Sequence, residues 1–361
     1  MSDIKKVTMM RWAFIGLYGI FSLYVMLNYM QSSILRERYI PTKYEGMING
    51  EGHKPYVTRA LVPLMTRVAM GLMPMFTEED APQEDAQEIT EPRASLQMLP
   101  WLNRVFPKNH SAYPRAVTLC IVYGFLLGYV VAMRKLSEQL FPDIEAMRWF
   151  MPLIGLGVVP AFSWPFQYIY DFSTLALSTA CFYCIYTRNF RWYLLWFLLA
   201  TLNKETSIFI LFFFALWFHA KLPAPQYRFW LCMQGLMYAL TKAALMVAYS
   251  DNPGGFMESH MGAVLNKDLF LNANSFRILG MAGIFFLLSH GWQQKPAFAK
   301  TALWFIPVYA VLYILFGNPG EYRICFDMLP LFTLLAGHTL ICGTGIADAA
   351  IFRLSTEKDH A

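Results

Sequence analysis

Residues 192–220 read WYLLWFLLATLNKETSIFILFFFALWFHA, two apolar pieces (192–202 and 207–220) around the polar quartet Asn203-Lys204-Glu205-Thr206. Each piece is shorter than the roughly 20 residues that a straight helix needs to cross a bilayer. One continuous helix is the plain alternative. It would reverse everything downstream and carry Lys221, Arg228, Lys295 and Lys300 to the outer side, against the tendency of short basic loops to stay inside. Two short helices meeting at a polar elbow avoid that reversal. Charged or non-helical backbone at membrane depth is tolerated only where it is buried in protein or faces a wet cavity. The elbow is therefore a candidate site as well as the hinge of the topology.

Working outward, the 361 residues are 57% hydrophobic, 17% aromatic and 15% charged. Soluble domains carry about 25% charged residues, so an ordinary soluble enzyme is excluded. The apolar content is cut into bilayer-length runs, which predicts one all-α polytopic transmembrane domain over 1–361 with ten spans: 12–30, 114–133, 149–166, 172–187, 192–202, 207–220, 228–249, 276–293, 301–316 and 325–346. An even number places both termini on one side. Lys5, Lys6 and Arg11 before the first run make that side cytoplasmic, and the run reads as an uncleaved anchor. Fourteen of the 29 Lys and Arg fall in the cytoplasmic segments of this map and four in the short outer loops or their edges. The net charge of +5 reflects basic residues flanking the apolar runs, not a nucleic-acid-binding stripe. The six cysteines lie in or beside apolar runs and indicate neither a disulfide framework nor a metal site.

The long extracytoplasmic loop, 31–113, divides into a polar stretch (31–56), an apolar stretch (57–75) interrupted by Arg59, Pro63 and Arg67, and an acidic stretch (76–95) with seven carboxylates. The second suits a helix lying in the membrane interface, the third a solvated excursion. Ionisable groups near the membrane gather on the outer side of the map: Glu37, Glu45, Glu51, Arg59, Asp171, Lys204, Glu205, Lys242, Glu258, His260, Glu321 and Arg323. Each has a structural alternative. Asp171 can cap the helix that starts near Phe172, Lys204 and Glu205 can neutralise each other, Lys242 can snorkel to the surface, and Glu321 can simply pair with Arg323. His219, His290 and His338 read as packed or interfacial. Carboxylates and cations held together at one edge of a bundle suit chemistry on a phosphate-bearing lipid: a carboxylate takes the proton of an attacking hydroxyl while Arg and Lys offset charge on a departing phosphate. No dinucleotide fingerprint, P-loop, H-E-x-x-H or G-x-S-x-G motif competes with this.

Three groups of segments, His53-Lys54-Pro55-Tyr56-Val57-Thr58-Arg59-Ala60-Leu61-Val62-Pro63, Tyr170-Asp171-Phe172-Ser173-Thr174-Leu175 with Leu199 to Thr206, and Gly320-Glu321-Tyr322-Arg323, resemble those of bacterial multi-span proteins related to the GT-C glycosyltransferases. The resemblance implies a GT-C-like bundle in a bacterial inner membrane, with its site on the outer (periplasmic) face. It implies transfer of a sugar from a polyprenyl-phosphate carrier to a glycan, lipid or protein acceptor. GT-C enzymes place an essential Asp or Glu in the first outer loop, and Glu45 is the first choice here, ahead of Glu37 and Glu51. Arg59, Lys204, Lys242, Glu321 and Arg323 would bind donor and phosphate; Asp171 and Glu205 would complete the catalytic set. The polar stretch 31–56 contains no D-x-D or E-x-D pair, so a divalent metal is not indicated and no cofactor is assigned. The competing classes are a flippase or transporter of a lipid-linked saccharide or anionic solute, for which a broken helix is also characteristic, and a glycan polymerase or ligase with a lipid-diphosphate donor.

Overall fold

In a computed structural model the described residues are 3–31, 44–72, 112–163, 168–255, 261–264, 275–318 and 321–348. The acidic stretch 76–95 and residues Glu37, Glu258 and His260 lie outside them. Among the described residues there is no β-strand. The main helices are α1 (Asp3–Gln31), α2 (Tyr44–Asn49), α3 (Leu61–Leu72), α4 (Ala112–Leu140), α5 (Glu145–Ser163), α6 (Asp171–Tyr186), α7 (Phe190–Asn203), α8 (Ile208–Phe218), α9 (Ala224–Ala248), α10 (Ser275–Ser289), α11 (Ala297–Phe316, with a 3-10 stretch inside) and α12 (Leu329–Gly343). A helix satisfies its own backbone groups, the requirement that lipid imposes on a spanning segment.

Four stretches are long and apolar enough to cross a membrane: Thr8–Met30, Pro114–Leu140, Ala224–Ala248 and Ala297–Phe316. The expected ten spans, two of them short (192–202 and 207–220), are not matched: among the described residues four helices are long and apolar enough to cross. The reason lies in what surrounds the others. α6 buries 13 of its 16 residues and α12 buries ten of its 15, so protein and not lipid encloses them. Their length and composition are not set by the bilayer. The hydroxyls of Ser173, Thr174, Ser178 and Thr179 in α6 each donate to a carbonyl three or four residues back, which removes the cost of burying them. In α9, by contrast, only Gln234 and Leu245 are buried.

The elbow is a true reversal. Lys204 is extended (φ −157°, ψ 146°), and a 3-10 turn, Glu205–Ser207, then leads into α8. The Phe190 ring at the start of α7 packs on Phe218 at the end of α8, with centroids 5.4 Å apart, and Tyr193 stacks on Phe214 at 5.5 Å. α7 and α8 are thus an antiparallel pair, and the continuous-helix alternative is excluded. α6 and α7 reverse through Thr187–Asn189, where Arg188 takes a positive φ of 56°. α9 lies parallel to α7: Phe190 meets Trp230 at 5.0 Å, Tyr193 donates to Gln234 at 2.6 Å, and Lys242 reaches the Thr201 carbonyl at 2.7 Å. Of the expected interfacial helix at 57–75, α3 covers Leu61–Leu72, and residues 57–60 precede it. None of the six cysteines forms a disulfide.

Candidate functional site

The first layer of the site is the elbow's anchorage. Asn203, the last residue of α7, is buried; its Nδ2 donates to the Tyr170 carbonyl (3.1 Å) and to Thr174 Oγ1 (2.9 Å), and its Oδ1 accepts from Ser173 Oγ (2.6 Å). One amide therefore ties the end of α7 to the start of α6. Replacing Asn203 by Leu is expected to cost roughly 2–3 kcal/mol, because the amide is lost from a network that water cannot reach. A lowered melting temperature of the purified protein in detergent would register it; an unchanged one would show that Ser173 and Thr174 re-pair at no cost.

The segment before α3 is pinned to the same place. Ala60 N donates to the Leu202 carbonyl at 2.9 Å. The loop after α9 also holds it: Asn252 Nδ2 donates to the carbonyls of Gly50 and Gly52, both at 2.9 Å, and Lys54 N donates to the Pro253 carbonyl at 2.8 Å. Arg59 is thereby carried over the elbow. Its Nε and Nη2 donate to the two carboxylate oxygens of Glu205, the former at 3.1 Å, and its Nη1 donates to the Tyr170 hydroxyl. A bidentate guanidinium–carboxylate pair of this kind fixes direction as well as charge.

A second arginine works in parallel. Arg323, 4% exposed, donates from Nη1 to Asp171 Oδ1 at 3.1 Å and from Nη2 to Glu321 Oε1. Asn318 adds its backbone N–H (3.1 Å) and its Nδ2 (2.7 Å) to Glu321 Oε2. Burial alone would push the Glu321 carboxyl up, but Arg323 and the two Asn318 donors outweigh it and hold the group below the usual carboxylate range. Between the two guanidiniums stands a column of rings: Tyr56 on Tyr168 at 5.8 Å, Tyr168 on Tyr170 at 5.3 Å, with Arg59 4.5 Å from the Tyr170 ring centre and Arg323 3.8 Å from that of Tyr168. Delocalised cations on π faces are weakly hydrated, which lowers the cost of burying them.

These groups border a pocket of 220 Å³ whose polar wall is Arg59, Lys204, Glu205, Asn318, Glu321 and Arg323, with Leu312 and Phe316 on the apolar side. Lys204 is the exception among its cations. It is 5% exposed and faces the pocket, and its side chain makes no hydrogen bond or ion pair among the described residues. The strongest opposite charge acting on it is Asp327, which is 2% exposed and has an Oδ2 with no hydrogen-bond partner. Lys242 lies behind the elbow, its ammonium on the Thr201 carbonyl, and Tyr238 donates to the Glu205 carbonyl at 2.9 Å.

Of the residues expected from sequence, Arg59, Asp171, Lys204, Glu205, Lys242, Glu321 and Arg323 come together. Glu45 does not. It sits on α2 with a 61% exposed side chain and Arg115 at 3.6 Å, outside the pocket wall. Asp171 is the first residue of α6 and not its cap: its Oδ2 accepts the upstream Tyr168 N–H at 2.7 Å while its other oxygen holds Arg323. Lys204 and Glu205 do not neutralise each other, since Glu205 pairs with Arg59, and Lys242 does not snorkel. Glu321 does pair with Arg323. His338 is packed, stacked on Phe141 at 5.3 Å. Tyr168, Asn318 and Asp327 escaped sequence reasoning. Asp327 carried a usable signal as the only acidic residue in the last apolar run. Among the described residues no three His, Cys, Asp or Glu gather to hold a metal ion. Comparison of the chain with protein families, curated proteins and solved structures finds no match.

Proposed function

We propose that the protein is a membrane glycosyltransferase that passes a sugar from a polyprenyl-phosphate carrier to an acceptor hydroxyl with inversion, in a GT-C-like bundle whose shorter helices complete the passes left by the four long ones. The observation that carries the reading is the unpaired, buried Lys204 ammonium facing a pocket between two guanidiniums. A buried cation without a partner is costly and is retained where something anionic arrives to meet it. A sugar phosphate supplies that anion. The acceptor oxygen attacks the anomeric carbon from the face opposite the phosphate, the C–O bond to phosphate breaks with its electron pair leaving on the phosphate, and Lys204, Arg59 and Arg323 offset the charge.

The proton of the attacking hydroxyl goes to Glu205, whose side chain is 40% exposed and which Arg59 keeps ionised. A weak base suffices where the transition state is oxocarbenium-like and the hydroxyl becomes acidic late. Glu321 and Asp171 hold Arg323 in position. The resemblance of the elbow and of the Arg59 segment to GT-C relatives supports the substrate class, a bacterial inner-membrane setting and a site facing outward.

The test is transfer of labelled sugar in membranes at equal protein levels, with Lys204→Met, Glu205→Gln and Glu45→Gln beside the wild type. Lys204→Met is expected to lose on the order of 100-fold or more in rate, and Glu205→Gln a comparable amount. Glu45→Gln should retain activity. Full activity in both Lys204→Met and Glu205→Gln would refute the reading. The helix break beside a buried cation also favours a carrier of lipid-linked anions; that class predicts movement of the donor across vesicles with no new glycosidic bond. Recovery of a carrier diphosphate instead of a monophosphate would move the donor to the polymerase and ligase class.

A further inference from the structure

At the other end of α4 from the elbow, two open troughs flank the helix and meet at one set of cations. The first, 610 Å³, runs between α1 and α4 over Ile15, Gly19, Leu127 and Val131 and ends at Arg134, Lys135, Glu138 and Arg148. The second, 790 Å³, lies on the adjoining face of α4 against α6 and α7, floored by Gly124, Gly128, Ala176 and Ala180, and meets the first along Val131 and Lys135. Val131 is 56% and Ile15 47% exposed, so the first trough has bare apolar walls. From Gly124 to Lys135 the troughs follow α4 for about 16 Å, close to the hydrocarbon depth of one leaflet.

The cationic end is organised by Trp149. Arg134 lies 4.1 Å and Arg148 5.5 Å from its ring centre, which holds two guanidiniums on one indole. The Nε of each is buried without a hydrogen-bond partner. The nearby carboxylates are engaged: Glu138 pairs with Arg148 at 3.2 Å, and Glu145 accepts from Trp149 Nε1 at 3.1 Å. Arg11 adds to the positive field at Arg134, and Lys135 is exposed beside it. Cations outnumber carboxylates exactly where the apolar troughs converge, a combination that matches a headgroup phosphate above two acyl chains and that neither water nor a neutral lipid satisfies.

We infer that this is a binding site for one anionic glycerophospholipid, which straddles α4 with a chain in each trough and its phosphate on Arg134, Arg148 and Lys135. The site lies about 24 Å along α4 from Thr118, which contacts α2 and α3 near the elbow end. It is separate from the pocket around Lys204 and independent of the reaction proposed there.

Native mass spectrometry of the full chain in non-ionic detergent tests the inference, with phosphatidylglycerol and phosphatidylcholine of matched acyl chains offered together. The wild type is expected to retain one phosphatidylglycerol per chain with roughly tenfold or greater preference. Arg134→Gln/Arg148→Gln should erase the preference. Gly19→Leu should reduce retention of both lipids while leaving every charge in place; a Cβ there meets nothing within 4 Å, so the substitution enters open space and is expected to fold even if the arginine pair proves necessary for folding. Glycerol 3-phosphate, which has the phosphate without the chains, should not displace the lipid. Equal retention of the two lipids by the wild type, displacement by glycerol 3-phosphate, or unchanged retention in Gly19→Leu would each overturn the inference.

Discussion

Replacing Arg323 by Met is expected to destabilise the protein by about 3–5 kcal/mol. The figure follows from what the side chain leaves behind. Asp171 is 1% exposed and Glu321 has a 12% exposed side chain, and both point at the vanished guanidinium. Neither has another cation within ion-pairing distance among the described residues, and burial denies them water. Uncompensated carboxylates in a site of low polarity respond by taking up protons or by loosening the fold. A second change separates the two contributions: Arg323→Met/Asp171→Leu removes the pair together, and it should recover part of the loss because two charges no longer need desolvating. Thermal melting of the purified variants in detergent, with elution profiles to follow aggregation, reads both. An Arg323→Met protein that melts with the wild type would show that the arginine is not the counter-charge the geometry makes it.

The opposite behaviour is expected at Lys204. The residue is buried and its pocket-facing ammonium has no ion pair among the described residues, so it is a cost to the folded state and not a support. In Lys204→Met/Asp327→Asn the unpaired cation and the anion that acts on it most strongly disappear together, and the double variant should melt at or above the wild-type temperature. Sugar transfer should nevertheless fall on the order of 100-fold or more, because the charge that offsets the departing phosphate has gone. Such a split distinguishes a functional cation from a structural one, as a structural lysine would lose stability and activity in step. Loss of stability with transfer intact would sink the assignment of Lys204 to the phosphate.

The elbow was legible because two kinds of information agreed. Neither 192–202 nor 207–220 is long enough to span alone, and the basic residues downstream favour a reversal over a straight helix. The convergence of Arg59, Asp171, Lys204, Glu205, Glu321 and Arg323 was legible for a similar reason, since charged residues interrupting apolar runs must be sheltered together. Their pairing was not. Lys204 and Glu205 are neighbours in sequence, but an extended residue sends adjacent side chains to opposite faces, and Glu205 turns to an arginine 146 positions away. Glu45 came from the resemblance to GT-C enzymes, and nothing in its own surroundings draws it to the pocket. The number of full spans was overcounted because hydropathy does not distinguish a helix wrapped in lipid from one wrapped in protein, and α6 and α12 are of the second kind.

That difference in wrapping has a consequence for how the membrane itself acts on the site. A bilayer that is thinner or thicker than the apolar length of a helix makes lipid-facing helices tilt or stretch their surroundings. α6, which carries Asp171 and the Asn203 partners Ser173 and Thr174, has almost no lipid-facing surface on which such a force can act. α9 is nearly all surface, and it delivers Tyr238 to the Glu205 carbonyl and Lys242 to the Thr201 carbonyl. Hydrophobic mismatch therefore reaches the elbow through α9 and the exposed faces of α7 and α8 and hardly at all through α6, so that membrane thickness becomes a lever on the position of Glu205 with α6 as its fulcrum.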